Sequence, residues 1–219
     1  MKSQQSGFTL VEIAIVLVII GLLLGGILKG QELINSAKVK NLANDFRVIP
    51  TYIYAYQDKF KALPGDDAQA TTHITCAPPC ANGDGNGVIN GPWKPAAAGD
   101  ESQQFWAHVR LANLAAGPTT WAAVNAGDPF TPKNAVGGQI GISSATSAQI
   151  QITGMTGTYQ VCSAGILGKF AKQLDVQMDD GDPMTGSMRA VPDGSATPTA
   201  AVAITAAQES DPYTVCMTF

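Results

Sequence analysis

Residues 7–30 read GFTLVEIAIVLVIIGLLLGGILKG, and between Phe8 and Leu28 the only ionisable side chain is that of Glu12. As an α-helix, residues 8–28 would span roughly 32 Å, which is about the thickness of the hydrocarbon core of a bilayer. Lys2 precedes the run and favours a cytoplasmic N-terminus. The sequence therefore predicts one helix that spans the membrane, with the remainder of the chain on the far side.

The carboxylate of Glu12 is energetically unfavourable in this position. An ionised side chain in a membrane helix costs roughly 2.5–3.5 kcal/mol on insertion scales, so Glu12 needs either compensation or a use. One interpretation is that Glu12 lies near the helix end and reaches the headgroups. The other is that it pairs with a cation in an assembly.

The segment before the apolar run is a short polar leader, MKSQQSG. An ordinary secretory signal has a shorter apolar core followed by a small-residue cleavage site, and no such site follows this core. The leader, the motif Gly7-Phe8-Thr9-Leu10-Val11-Glu12 and the apolar run together resemble the type IV prepilin family. That family includes minor pilins and type II secretion pseudopilins.

The resemblance implies a processing route and an assembly residue. In the family, a membrane-bound prepilin peptidase cuts after the residue matching Gly7 and N-methylates the new terminus, here Phe8. Glu12 would then pair with the terminal amine of a neighbouring subunit, and such a pair is far stronger in low dielectric than in water. Implied partners are the peptidase, other pilin or pseudopilin subunits and the inner membrane.

The pattern beyond the membrane predicts how the fold continues. A helical stripe is spaced by alternating steps of four and three residues, formed by Leu42, Phe46, Ile49, Ile53, Tyr56 and Phe60. It ends at Leu63-Pro64-Gly65, and Pro50 predicts a kink or short break near residues 46–50. We therefore divide the chain into a leader (1–7), a transmembrane or filament-core helix (8–28), an amphipathic helix (29–63) and a periplasmic or extracellular head (64–219).

The head is expected to be α+β, with an antiparallel sheet packed against the second half of the long helix, as the resemblance to pilins implies. Strands are predicted over 139–142, 148–153, 187–191, 201–205 and 213–219, with a helix over 164–174.

Composition and motifs exclude several function classes. The net charge is −4 and 14% of the residues are charged, so the chain has no broad basic surface for nucleic acid. The sequence contains no Gly-x-Ser-x-Gly, P-loop or His-Glu-x-x-His motif, and His73 and His108 lie far apart in sequence. We therefore expect a structural protein and not an enzyme.

Four cysteines, at 76, 80, 162 and 216, do not have zinc-site spacing. Outside the cytoplasm they predict two disulfides, for which three connectivities exist, and free buried thiols are the alternative. We favour Cys76–Cys80 and Cys162–Cys216. The second would close a loop of about 55 residues and stabilise the fold by roughly 4 kcal/mol in the chain-entropy model. The three residues within Cys76-Ala-Pro-Pro-Cys80 favour a structural over a redox role.

The glycine-rich loop at residues 82–89 is a candidate calcium site. Oxygen side chains of Asn82, Asp84 and Asn86 occupy positions 1, 3 and 5 of an EF-hand-like pattern, with glycine at position 6. Trp93 stands where the bidentate glutamate belongs. Carboxylates elsewhere, namely Asp66, Asp67, Asp100 and Glu101, are candidates to complete it. The alternative is a loop satisfied by its own turn hydrogen bonds.

The acidic turn at 179–183 (DDGDP) is interpreted as the end of a helix with solvated carboxylates, and a metal site there is the less favoured reading. Taken together, these features predict a subunit of a type IV pilus-like filament, a minor pilin, with a secretion pseudopilin as the alternative. A third hypothesis is a membrane-anchored calcium-dependent binding or adhesive domain, for which an exposed Trp93 or Trp121 would be a pointer.

Overall fold

The computed structural model describes residues 9–121, 130–146 and 148–219. Its contacts divide the chain into two compact units, Met1–Lys38 and Val39–Phe219. The predicted boundaries of leader, membrane helix, amphipathic helix and head stay predictions, and the division at residue 38 falls inside the segment predicted as the amphipathic helix.

Helix α1 extends from Leu10 to Phe60, and its residues up to Lys38 belong to the first unit. The large apolar side chains of this part are exposed, Leu10 at 91% and Leu22 at 74%. By length and composition the helix can cross a membrane. An apolar surface exposed along so many turns is unfavourable in water, so its preferred surroundings are lipid or other apolar helices.

The part of α1 in the second unit buries one face. Seven side chains of this face are buried, namely Val39, Leu42, Ala43, Phe46, Ile49, Ile53 and Tyr56. Each large one stabilises the fold by about 1.5–3 kcal/mol relative to exposure. The predicted stripe is thereby confirmed, and its last residue, Phe60, is half-buried and packs against the same core. A short break near Pro50 is wrong, because the helix continues through that residue to Phe60, and a kink at residues 46–50 stays a prediction.

Two short helices follow before the first strand. Helix α2 is a single turn, Ala70–His73, and helix α3 covers Glu101–Leu111. Nearly every residue of α3 is buried. The helix therefore lies inside the head and not on its surface.

In the described part of the head, four strands form one antiparallel sheet in the order β1-β2-β4-β3. The strands are β1 (Ile140–Ser144), β2 (Tyr159–Leu167), β3 (Met188–Pro192) and β4 (Pro212–Thr218). Helix α4 (Gly168–Met178) connects β2 to β3, and a 3₁₀ turn, Ala206–Gln208, precedes β4.

Three sequence expectations for this sheet are wrong. The stretch from Ala164 to Leu167 is strand, and the predicted helix begins only at Gly168. The strand bulges between Ser163 and Ile166, where Gly165 has φ +69°. Residues 148–153 and 201–205 form no ladder among the described residues. The first segment makes a single isolated parallel bridge, between Ile152 and Thr199. The apolar side chains Ile150, Ile152 and Ile204 are nevertheless buried, so the hydrophobic pattern indicated burial and not membership of a ladder.

One hydrophobic core joins the second half of α1, α3 and the sheet. It includes Phe46 and Ile53 of α1, Phe105 of α3, and Val161 and Val215 of the sheet. The chain is α+β, with a long N-terminal helix and an antiparallel sheet head, which confirms the predicted fold class and is consistent with a pilin fold.

Candidate functional site

The N-terminal end of α1 carries the residues predicted for processing and assembly. Gly7 and Phe8 lie outside the described residues. Glu12 is exposed in the first turn of the helix, where its Oε2 accepts hydrogen bonds from the Thr9 N–H at 2.8 Å and the Thr9 hydroxyl at 2.7 Å. Its other oxygen, Oε1, makes no hydrogen bond with a residue that the structure describes.

This pair is a capping arrangement that the sequence analysis missed. The Glu12 N–H donates to Thr9 Oγ1 at 3.3 Å, while Glu12 bonds back to the Thr9 backbone. Together these contacts make a capping box, for which the pattern [ST]-x-x-[DE] was present in the sequence. Glu12 therefore has a local use in helix initiation besides any assembly role.

The glycine-rich loop folds around Asp66. The N–H groups of Gly85 and Asn86 donate to Asp66 Oδ1 at 2.7 and 3.0 Å, and the Gly87 N–H donates to Oδ2 at 2.8 Å. A Cβ at Gly83 would overlap the Asp66 backbone, so the loop requires glycine there to approach this closely. Burial raises the pKa of Asp66, against the lowering effect of these three N–H donors.

Two more carboxylates converge on the same place. Oxygens of Asp66, Asp84 and Glu101 lie within 4.8 Å of one another, with Asp66 and Glu101 buried and Asp84 exposed. Glu101 also accepts hydrogen bonds from the N–H groups of Asp84 and Asn90, at 2.9 and 2.8 Å. Burial and the charges of Asp66 and Asp84 raise the pKa of Glu101. The cluster therefore carries unfavourable mutual repulsion that a cation would relieve.

The structure brings only part of the predicted calcium set together. Asn82 Oδ1 accepts from the Thr71 N–H at 2.9 Å, and Asn86 Oδ1 accepts from the Val88 N–H at 2.8 Å. Asn86 nevertheless contacts the carboxylate cluster, because its Nδ2 donates to Asp84 Oδ2 at 2.9 Å. Asp84 does belong to it, together with Asp66 and Glu101, two of the four carboxylates considered as recruits. The donor set that the fold assembles is three carboxylates, which suits a hard cation such as Ca²⁺.

The other two considered recruits have structural partners instead. Asp67 Oδ2 accepts from the Tyr56 hydroxyl and contacts His73 Nδ1, both at 2.7 Å. Asp100 Oδ2 accepts from the N–H groups of Ala96 and Ala97. A cavity of about 450 Å³ opens beside Asp66 and Asp67, and the His73 ring, stacked on Phe60, forms part of its wall.

His108 is buried and packs in the head. Its Nδ1 accepts from the Gly65 N–H and its Nε2 contacts the Ala81 carbonyl, both at 2.9 Å. Burial lowers the pKa of His108. With both ring nitrogens used by the backbone, this imidazole links the segment after the long helix, at Gly65, to the loop before residue 82.

The cysteines are paired as Cys76–Cys80 and Cys162–Cys216. Cys162 and Cys216 face each other across β2 and β4. In the acidic turn, Asp179 accepts from the Met188 N–H, and Asp180 accepts from the Thr185 hydroxyl. The described carboxylates of this turn thus have protein donors.

The tryptophans considered as adhesive pointers are both buried, with 3% of Trp93 and 8% of Trp121 exposed. Trp93 Nε1 donates to Gln151 at 2.9 Å, and the Trp121 ring lies 4.5 Å from that of Phe130. Neither tryptophan is exposed on the surface of the head, so neither points to an adhesive surface.

Comparison with known proteins gave one result at the N-terminus. Residues 2–28 match the model of the family described as the prokaryotic N-terminal methylation motif. Comparison with curated proteins and with solved structures gave no match. The matched segment contains the Gly7-Phe8 bond, the capping box and Glu12. The N-terminus of this chain thus carries the prokaryotic N-terminal methylation motif, which supports a type IV pilin-like subunit.

Proposed function

We propose that this chain is a structural subunit of a type IV pilus-like filament, and within that class a minor pilin. The observation that carries the proposal is the exposed apolar helix with its single carboxylate at Glu12, inside the segment that matches the methylation motif. Proteins with this motif are structural subunits, and the proposal assigns no catalysis to the head. A secretion pseudopilin shares the same N-terminus and is the alternative within the class.

Assembly would begin with cleavage after Gly7 on the cytoplasmic side of the inner membrane. Cleavage creates a cationic α-amine on Phe8, and N-methylation retains that charge. Glu12 caps its own helix through Oε2, which leaves Oε1 for the amine of a neighbouring subunit. Such a charge-assisted contact in low dielectric would set the axial register between subunits.

Mass spectrometry of the mature N-terminus tests this route. We expect a chain that lacks residues 1–7 and carries one methyl group on Phe8. A chain that retains Met1 in a cell with active prepilin peptidase would contradict the proposal. Recovery of the chain in sheared surface filaments would favour a pilus, and retention with the secretion apparatus would favour a pseudopilus.

We further propose that the head binds Ca²⁺ through Asp66, Asp84 and Glu101. The convergence of three carboxylates from three separate segments supports this. The rival arrangement is the loop held by its own hydrogen bonds, since Asp66 and Glu101 already accept five backbone N–H donors between them. Calorimetric titration with CaCl₂ distinguishes the two, because a loop satisfied by its own hydrogen bonds gives no binding heat.

A further inference from the structure

Helix α3 holds the segment between the first disulfide and the carboxylate cluster with three side chains of one face. Glu101, Gln104 and His108 are spaced by three and four positions, so they lie on the same side of the helix. Each of them bonds to the backbone of residues 79–84. The disulfide and the cluster are therefore joined both through this short segment and through α3.

Gln104 and His108 fix the residues next to the disulfide. Gln104 Nε2 donates to the Pro79 carbonyl at 3.3 Å, and Gln104 Oε1 accepts from the Ala81 N–H at 2.9 Å. Because Nδ1 of His108 already accepts a hydrogen bond, Nε2 carries the proton and donates to the Ala81 carbonyl at 2.9 Å. Both backbone groups of Ala81, the residue directly after Cys80, are thus bonded to α3.

Glu101 continues this connection into the carboxylate cluster. Its Oε1 accepts from the Asp84 N–H at 2.9 Å, and oxygens of Asp66, Asp84 and Glu101 lie within 4.8 Å of one another. The Gly83 N–H donates to the Asp67 carbonyl at 2.9 Å, so the loop after α1 holds the segment as well. The position of Asp84 in the cluster therefore depends on how residues 79–83 are held.

The disulfide itself lies against α3. The sulfur atoms of Cys76 and Cys80 and a ring nitrogen of His108 lie within 4.8 Å of one another, and all three residues are buried. Reduction removes the covalent bond, so the two sulfur atoms must move apart to van der Waals contact. Close packing leaves little room for this movement. The movement therefore displaces His108 and the Ala81 backbone to which it is bonded.

We infer that α3 couples the Cys76–Cys80 disulfide to the proposed Ca²⁺ site, so that disulfide formation and Ca²⁺ binding favour each other. The inference rests on the calcium site proposed above, and it makes Gln104 and His108 positioning residues of that site. Groups that orient metal ligands typically change metal affinity by about 10–100-fold. Because coupling between two sites is reciprocal, Ca²⁺ opposes reduction of the disulfide by the same factor. Disulfide formation removes two electrons and two protons from the thiols, which a disulfide oxidant accepts by exchange.

Calorimetric titration of the full chain in detergent with CaCl₂ tests the effect of the disulfide on the calcium site. We expect Cys76→Ser combined with Cys80→Ser to lower the calcium affinity at least about tenfold. Cys162→Ala combined with Cys216→Ala removes the disulfide within the sheet and should leave the affinity unchanged. A wild-type affinity in the Cys76 and Cys80 double variant would overturn the inference.

Redox titration of the wild-type chain measures the reciprocal effect and needs no cysteine variant. Dithiothreitol supplies two electrons and two protons and becomes a cyclic disulfide, and alkylation with mass spectrometry reports each native disulfide separately. For a tenfold coupling, saturating Ca²⁺ should shift the midpoint of Cys76–Cys80 by about 30 mV to more negative potential. The midpoint of Cys162–Cys216 should not move, and Asp84→Asn should abolish the shift. Equal shifts of both disulfides, or no shift, would overturn the inference.

Two adjacent glutamines of α3 test the positioning role. Gln103 and Gln104 are each 2% exposed, but Gln103 Nε2 makes no hydrogen bond with a described residue. Gln104→Met should lower the calcium affinity at least about fivefold and shrink the calcium-induced shift of the Cys76–Cys80 midpoint. Gln103→Met, the matched control, should change neither. Equal behaviour of the two variants would contradict the role of Gln104.

The outcomes separate the coupling from the calcium site on which it rests. If wild-type chain binds Ca²⁺ and Asp84→Asn does not, but the affinity is the same with and without the Cys76–Cys80 disulfide, the coupling is wrong and the site stands. If wild-type chain gives no binding heat with CaCl₂, the proposed calcium site and the coupling both fail.

Discussion

The Tyr56 hydroxyl donates to Asp67 Oδ2 at 2.7 Å, and this buried hydrogen bond ties helix α1 to the loop that follows it. The same oxygen contacts His73 Nδ1, and the Gln69 N–H donates to the other oxygen at 2.8 Å. Burial would raise the pKa of Asp67, but the hydrogen bonds from His73, Tyr56 and Gln69 outweigh it and lower the pKa. Asp67 is thus held as an anion that anchors the loop.

Tyr56→Phe should destabilise the head by about 2 kcal/mol, because it removes a hydrogen bond to a charged group that stays buried. Urea unfolding of the full chain in detergent, followed by near-ultraviolet circular dichroism, measures this. Tyr54→Phe is the matched control, since Tyr54 is 60% exposed and makes no hydrogen bond with a described residue. Equal stability of the two variants would show that the Tyr56 contact contributes nothing.

Replacing Glu12 separates helix capping from charge pairing. Glutamine can complete a capping box as glutamate does, so Glu12→Gln keeps the cap and loses the charge, whereas Glu12→Ala loses both. If the charge pairs with a neighbour's amine, both variants should insert and be cleaved but fail to enter filaments. Incorporation of Glu12→Gln at the wild-type level, measured by immunoblot of sheared filaments, would show that capping is the only role of Glu12.

Calcium should raise the melting temperature of the wild-type chain and leave that of Asp84→Asn unchanged. Asp84 is the exposed member of the carboxylate cluster, so its replacement disturbs packing least. Asp180→Asn, in the separate acidic turn, should keep the calcium response. Thermal melts with CaCl₂ and with EGTA measure the shift. A response retained by Asp84→Asn would exclude the cluster as the binding site.

Asp175 should make the head more stable near pH 5 than near pH 7. Burial raises its pKa from 3.8 to about 6. Between pH 3.8 and pH 6 the Asp175 carboxyl is therefore protonated in the folded state and ionised in the unfolded state. The free energy of unfolding falls as pH rises through this range. Asp175→Asn keeps an oxygen for the Gly181 N–H and should flatten this part of the profile. Urea unfolding at pH 5, 6 and 7 tests it, with the exposed Asp58→Asn as a control that should leave the slope unchanged.

The two disulfides should differ in their contribution to stability. They span sequence separations of 54 and 4 residues, and loop-closure entropy predicts losses of about 4 and about 2 kcal/mol for their removal. Paired Cys→Ala substitution of Cys162 and Cys216, compared with Cys→Ser of Cys76 and Cys80, measures the difference by urea unfolding. A larger loss from the short loop would contradict this ranking. Mass spectrometry of non-reduced peptides checks the pairing itself.

Local patterns predicted the parts of the fold that depend on neighbours along the chain. The exposed run through Leu28 and the buried stripe of Phe46 and Ile53 follow from apolar spacing alone. The strand at 159–167 could not be predicted from apolar spacing, because the small residues Ser163, Ala164 and Gly165 lack the alternating pattern of a strand. Only pairing with β4, through a bulge, makes this segment a strand.

The candidate sites also depend partly on local sequence and partly on tertiary structure. The sequence alone determined the motif around Gly7 and Glu12, since the peptidase signal and the apolar run are contiguous. Only the tertiary structure could decide which carboxylates meet Asp84 and that Asp66 holds the glycine-rich loop through backbone N–H groups. These relations join segments far apart in sequence, and the distance between two side chains across a core is fixed by packing, which no local pattern encodes.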